Sequence, residues 1–152
     1  MSVSQKQALC FIDSNIWLYT LLSSDNEEEK RKSILAKNII KTQNIVISTQ
    51  IINEVSVNLI KKAQIDEKQL SNLINSFYKK YEIIEFSRDI LLKSSRLRQQ
   101  YNLSFWDSLI VSSALSVKAN YLYSEDMQNG LIIHQNLKII NLFLEESDAA
   151  EY

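Results

Sequence analysis

The chain has almost no backbone punctuation. Its 152 residues include one glycine, Gly130, and no proline, against averages of roughly 7% and 5%. That balance disfavours a turn-rich small barrel and excludes phosphate loops built on glycine repeats. A single cysteine, Cys10, cannot form an internal disulfide. It reads as a small apolar residue buried in a strand, with a reducing cytoplasm as the expected setting. The single histidine, His134 in LIIHQN, reads as a surface or packing residue. One thiol and one imidazole are too few soft ligands for zinc, and they make a histidine general base or a cysteine nucleophile poor candidates. No apolar run is long enough to span a membrane, and MSVSQKQALCFID lacks the apolar segment of a signal peptide.

What is present suits one soluble globular domain. The chain is 45% hydrophobic and 23% charged, which is enough apolar material for a sizeable core. A net charge of -1 argues mildly against a generic nucleic-acid binder, but the charge is unevenly spread. Residues 30–144 hold 16 Lys+Arg against 9 Asp+Glu. The compensating acids lie in DNEEE (25–29) and in the tail EESDAAEY (145–152). A basic surface around an acidic centre and plain solvated helix faces both fit this pattern.

Hydrophobic periodicity divides the chain into alternating short strands and longer helices. ALCFID (8–13), NIVIS (44–48), YEIIEF (81–86), YLYS (121–124) and KIINLF (138–143) read as strands. Helices are expected from Asn15, over 26–41 with Ile34, Leu35, Ile39 and Ile40 near one side, and over 50–63 with Ile51, Ile52, Val55, Leu59 and Ile60 inward. Further helices are expected after caps at Asp66, Ser87 and Ser104. The alternation predicts an α/β three-layer sandwich with a central, mainly parallel sheet of about five strands flanked by helices. No linker or repeat interrupts it. The expectation is one domain over 1–152, with a short flexible N-terminus and an acidic C-terminal tail. In such sheets the functional crevice lies beyond the carboxyl ends of the strands.

Four acids stand next to apolar runs. Asp13 closes the first strand, Glu54 interrupts the helix after the second, Asp107 follows Trp106 in a helix's first turn, and Asp126 follows the fourth strand. Each has a structural alternative. Asp13 can cap a helix, Glu54 can be solvated, Asp107 with Ser104 fits a capping box, and Asp126 fits an Asx turn leading to Asn129 and Gly130. Asp107 joins the others only if the preceding segment returns to the carboxyl edge. If three or four carboxylates converge, their repulsion calls for a hard cation, Mg2+ or Mn2+. Such an ion activates water and stabilises phosphoryl charge.

The pieces FIDSNIWLY (11–19), STQIINEVSVNL (48–59), YNLSFWDSLIVSSAL (101–115) and LYSEDMQNG (122–130), in this order and spacing, resemble the PIN-domain ribonucleases. More narrowly, they resemble the toxin ribonucleases of VapBC-type toxin–antitoxin systems. The resemblance spans nearly the whole chain and implies that Asp13, Glu54, Asp107 and Asp126 meet at one sheet edge as catalytic and metal-holding acids. It places Asn15 as a polar support beside Asp13 and Ser124 as a small hydroxyl supporting the site; within YLYSEDMQNG, Ser124 is expected to support Asp126 and Glu125 to face away. The implied activity is Mg2+- or Mn2+-dependent endoribonuclease hydrolysis of RNA phosphodiesters. The implied partners are RNA, a second copy in a homodimer and a cognate antitoxin protein, in the cytoplasm with no membrane role. An RNA-processing nuclease outside a toxin system, or a non-catalytic PIN-fold interaction module, is the alternative. Lys61, Lys62, Arg96 and Arg98 are candidate phosphate contacts or plain helix faces. Trp17, Tyr19, Phe77, Tyr78 and Tyr81 suit either the core or an interface.

Overall fold

The computed structural model describes residues 7–144. The expected flexible N-terminus, in its first six residues, and the acidic tail (145–152) lie outside the described residues. The elements in chain order are β1 (Leu9–Ile12), α1 (Ser14–Leu21), α2 (Glu27–Thr42), β2 (Asn44–Ser48), α3 (Thr49–Ala63) and α4 (Glu67–Lys80). They continue with β3 (Glu82–Ile84), α5 (Arg88–Gln100), α6 (Phe105–Ser116), β4 (Tyr121–Tyr123), β5 (Ile132–Ile133) and β6 (Leu137–Ile140).

The sheet has six strands in the order β3-β2-β1-β4-β6-β5. All neighbours are parallel except β5 with β6. β1 is the centre of the architecture. Consecutive Cys10, Phe11 and Ile12 are all 0% exposed. Successive strand residues point to opposite faces, so both faces of the sheet are covered, which is the expected three-layer arrangement. Burial also pushes the Cys10 thiol up to about 11, so it stays protonated and inert.

The helix starts follow from side-chain chemistry. Asp66, Ser87 and Ser104 cap α4, α5 and α6, each accepting a hydrogen bond from a backbone N–H of the first turn. Asp66 and Gln69 form a reciprocal capping box. Two expected inward residues are not inward. Ile34 is 69% exposed, and Ala36 is the buried residue of α2. Ile60 is exposed beyond the inward stripe Ile51, Ile52, Val55 and Leu59 of α3. The α4 face supplies Phe77, which stacks edge-to-face with Trp17 of α1 at 5.3 Å, and Tyr81 packs against the same indole. Trp17 and Phe77 are therefore core, while Tyr78 is half exposed.

The sixth strand, β5, is the main departure from expectation. It pairs antiparallel with β6 through a tight turn in which His134 and Gln135 both have positive φ, 49° and 63°. Three residues, His134 to Asn136, separate the paired Ile133 and Leu137, and positive φ at two successive turn positions is what an Asn-Gly dipeptide ordinarily supplies. With no such dipeptide here, the turn carries no sequence signal.

Candidate active site

β1 and β4 are adjacent, and the chain leaves their neighbourhood in opposite directions, to β2 on one side and β6 on the other. Their carboxyl ends are thus a topological switch point, where α/β sheets open a crevice. Asp13 follows β1 and Asp126 follows β4 at that edge. α3 begins directly after β2, so Glu54 stands in its second turn above the same edge. α6 supplies the missing link for Asp107. Its far end feeds β4, where Asn120 N–H donates to Leu9 O at the amino edge (2.8 Å). Its near end docks on the start of α3, where Gln50 Nε2 donates to Trp106 O (3.2 Å). The helix therefore begins at the carboxyl edge, with Asp107 in its first turn.

Asp13 is only 6% exposed. Its Oδ1 accepts from Ser14 N–H (2.8 Å), which caps α1, and its Oδ2 accepts from the Ser124 hydroxyl (2.8 Å). Capping and site placement coexist in one side chain. Burial pushes its carboxyl up to about 6 against those two hydrogen bonds, and the charges of Glu54 and Asp107 add to the rise. Asp107 is half-buried and also raised, first by burial, then by Glu54 and Asp126, with the Ser104 hydroxyl opposing. The four acids are thus one electrostatic group. Asp107 uses only half of the expected capping box: Ser104 Oγ accepts from its N–H (3.1 Å).

The supporting contacts are crossed. Ser124, on the β4 side, holds Asp13 and not its neighbour Asp126. Asn15, in α1, donates its amide to Asp126 (2.9 Å) and not to Asp13. Asp13 N–H to Tyr123 O (2.9 Å) closes the same junction. Glu125 turns away from the acids and pairs with Lys32 of α2.

Gln50 is the residue that the sequence reading missed. It is 7% exposed, and its amide holds Glu54 (3.0 Å) as well as Trp106 O. The available signal was a glutamine one turn before Glu54 in TQIINEV. Asn15 Oδ1 and Gln50 Oε1 are buried without a partner, each on a side chain whose amide nitrogen already holds a site carboxylate. Among the described residues no three His, Cys, Asp or Glu side chains are close enough to form a ready-made metal cage. The donor set still fits a hard divalent ion: four carboxylates, two of them destabilised as anions, beside two orphaned amide oxygens able to accept from an ion's water shell. A cavity of about 780 Å³ between α1 and α2 reaches the site at Asn15, with Lys30, Lys37 and Lys62 on its wall. It touches none of the four acids.

A family model described as the PIN domain matches residues 10–128, a span that contains all four acids. The chain belongs to the PIN domain family. PIN domains are generally nucleases. Solved structures agree on the fold. A toxin–antitoxin complex from Klebsiella pneumoniae matches at 21% identity over 88% of this chain and 97% of that chain, with a TM-score of 0.66. VapBC2 from Rickettsia felis, bound to a DNA fragment from their promoter, matches at 20% over 86% and 96%, TM-score 0.58. VapC20 from Mycobacterium tuberculosis, a sarcin-ricin loop cleaving toxin, matches at 11% over 74% and 86%, TM-score 0.58. No curated protein matches the sequence. In this PIN domain no helix among the described residues is long and apolar enough to cross a membrane.

Proposed function

We propose that this PIN domain is a Mg2+- or Mn2+-dependent endoribonuclease that hydrolyses RNA phosphodiester bonds as the toxin of a type II toxin–antitoxin pair. The observation that supports this reading is that Asp13, Glu54, Asp107 and Asp126 come from four separate segments near the β1/β4 switch point, where burial and the charges of Glu54, Asp107 and Asp126 disfavour Asp13 and Asp107 as anions. Charge of that kind, held in place by hydrogen bonds, is suited to a cation.

Asp13, Asp107 and Asp126 would hold the ion, with Glu54 completing the acidic shell. When bound, the ion supplies Lewis acidity toward a phosphoryl oxygen and a more acidic water. The side chains do the rest. Ser14 N–H and the Ser124 hydroxyl fix both oxygens of Asp13, so its remaining lone pairs have one direction. Asn15 holds one oxygen of Asp126 through its amide nitrogen. Gln50 holds one oxygen of Glu54 and leaves the other to orient the attacking water and accept its proton.

The toxin part of the reading draws on the structural neighbours, which are toxin–antitoxin proteins. It implies a cognate antitoxin, a homodimer, a single domain over the whole chain and a cytoplasmic site of action. Cleavage-site mapping on total cellular RNA, with wild type and Asp13→Asn in Mg2+ or Mn2+, tests the chemistry. Defined cuts by wild type, lost in Asp13→Asn and in EDTA, are expected; equal cutting in EDTA would overturn the metal role. Growth arrest on expression, relieved by co-expressing a neighbouring small open reading frame, would separate a toxin from an RNA-processing nuclease. A tight protein complex with no RNA cut would favour the non-catalytic module.

A further inference from the structure

The start of α6 carries two aromatics that the fold does not use. Phe105 is 54% and Trp106 59% exposed, while the next seven residues, Ser108 to Ala114, are all buried. Neither aromatic is needed to begin the helix, because Ser104 caps it. The two rings meet edge-to-face at 5.2 Å. The Arg98 guanidinium lies 4.6 Å from the Phe105 centroid and is steadied by the hydroxyls of Ser108 (2.7 Å) and Ser94 (3.3 Å). It has no carboxylate partner among the described residues.

This assembly is rigidly tied to the acids. Trp106 immediately precedes Asp107, and its carbonyl accepts from the Gln50 amide that also holds Glu54. The exposed indole of Trp106, Phe105 set nearly perpendicular to it with the Arg98 guanidinium over its ring, and a metal-suited carboxylate group therefore share one edge of the molecule. Solvent-facing indole and phenyl rings are costly to leave bare, and their chemistry matches that of an unstacked nucleobase, whose π-face is present whatever the sequence. Bases in a duplex are stacked on each other and offer no such face.

We propose that Trp106, with Phe105 and Arg98, is a stacking platform for an unpaired nucleobase beside the scissile phosphate. This rests on the nuclease reading above. Arg98, anchored by two hydroxyls, would meet the backbone phosphate of the stacked nucleotide. Trp106 is then a positioning residue and takes no part in proton transfer.

The test separates binding from cleavage. In an Asp13→Asn background with EDTA, a short single-stranded oligoadenylate should quench the fluorescence of exposed Trp106, and Trp106→Phe should remove the quench, since Trp17 is buried. A duplex of the same length should not quench. Trp106→Ala should weaken oligonucleotide binding by about tenfold. On the mapped RNA site it should raise KM with kcat little changed, while Trp106→Phe restores most of the affinity. Circular dichroism melts would confirm that the variants are folded. Unchanged binding and KM in Trp106→Ala, or equal quenching by duplex, would overturn the platform. So would loss of a dimer in Trp106→Ala with KM per site unchanged, since that would make the rings a protein contact. If wild type cuts no RNA in either metal, the nuclease reading falls, and the quenching result still decides the platform by itself.

Discussion

Asp13 carries the sharpest conflict between stability and chemistry in this molecule. Its carboxyl sits at about 6 instead of 3.8, so between those values the native state holds a proton that the unfolded chain has released. Stability without metal therefore falls as pH rises through that window. Two pH units of displacement correspond to at most about 3 kcal/mol. Asp13→Asn removes the charge but sacrifices one of two hydrogen bonds, worth about 1 kcal/mol. The metal-free variant should thus be more stable than wild type at pH 7 by about 1–2 kcal/mol, with the gap closing toward pH 4. Urea melts at the two pH values would show it, and a variant less stable at pH 7 would contradict it. Residues were the most legible level here: the sequence already put Asp13 and Asp126 after strands and Glu54 and Asp107 early in helices, where the structure has them. Gln50 was not legible, because a glutamine within an amphipathic helix looks the same whether it meets water or a buried carboxylate.

At the level of elements, the turn after β4 is held from two sides. Asn15 of α1 holds Asp126, and Lys32 of α2 holds Glu125 while lying over the Tyr19 and Phe143 rings at 5.4 and 5.5 Å. The Lys32–Glu125 side chains are 19% and 22% exposed, so this pair is shielded in a way that Lys30–Glu27, at 51% and 91%, is not. Lys32→Ala should cost about 1–2 kcal/mol, through lost packing and a stranded carboxylate, and should reduce RNA cleavage because the turn carries Asp126. Lys30→Ala should cost about 0.3 kcal/mol or less. Thermal melts and cleavage assays on the two variants would distinguish them, and equal losses would mean that the pair does not brace the turn. Strand and helix identities were readable because their periodicities are long and clean. β5 was not, because two residues make no period and its turn uses His134 and Gln135. The same scarcity of glycine puts Gln64 and Lys118 at positive φ, 50° and 55°, where most proteins would place Gly.

For the whole molecule, the carboxyl edge is the part that metal should change. A ligand that binds only the folded state at ten times its Kd adds about 1.4 kcal/mol, which for a chain of this size is about 3–6 °C in Tm. Mg2+ or Mn2+ should raise the Tm of wild type by that order and leave Asp13→Asn nearly unmoved. Differential scanning calorimetry with EDTA as the reference checks this, and equal shifts in both would point to a binding site elsewhere. The parallel α/β architecture was legible from alternation alone. The convergence of Asp107 with the other acids was not, since periodicity places a residue on an element but does not say which sheet edge that element starts from. The Gln50–Trp106 contact resolves it.

The crossed braces also bear on when the site comes into being. Asp13 with Ser124, and Asn15 with Asp126, each join residues 111 positions apart. Contacts of that span form only after a large loop has closed, and they cannot form in a chain that still lacks its second member. During synthesis Asp13 waits, unbraced, until the residues up to Ser124 have been made, 111 positions later. A nascent or half-folded copy therefore lacks the braced acids, and completion of the fold and assembly of the acidic edge become a single event.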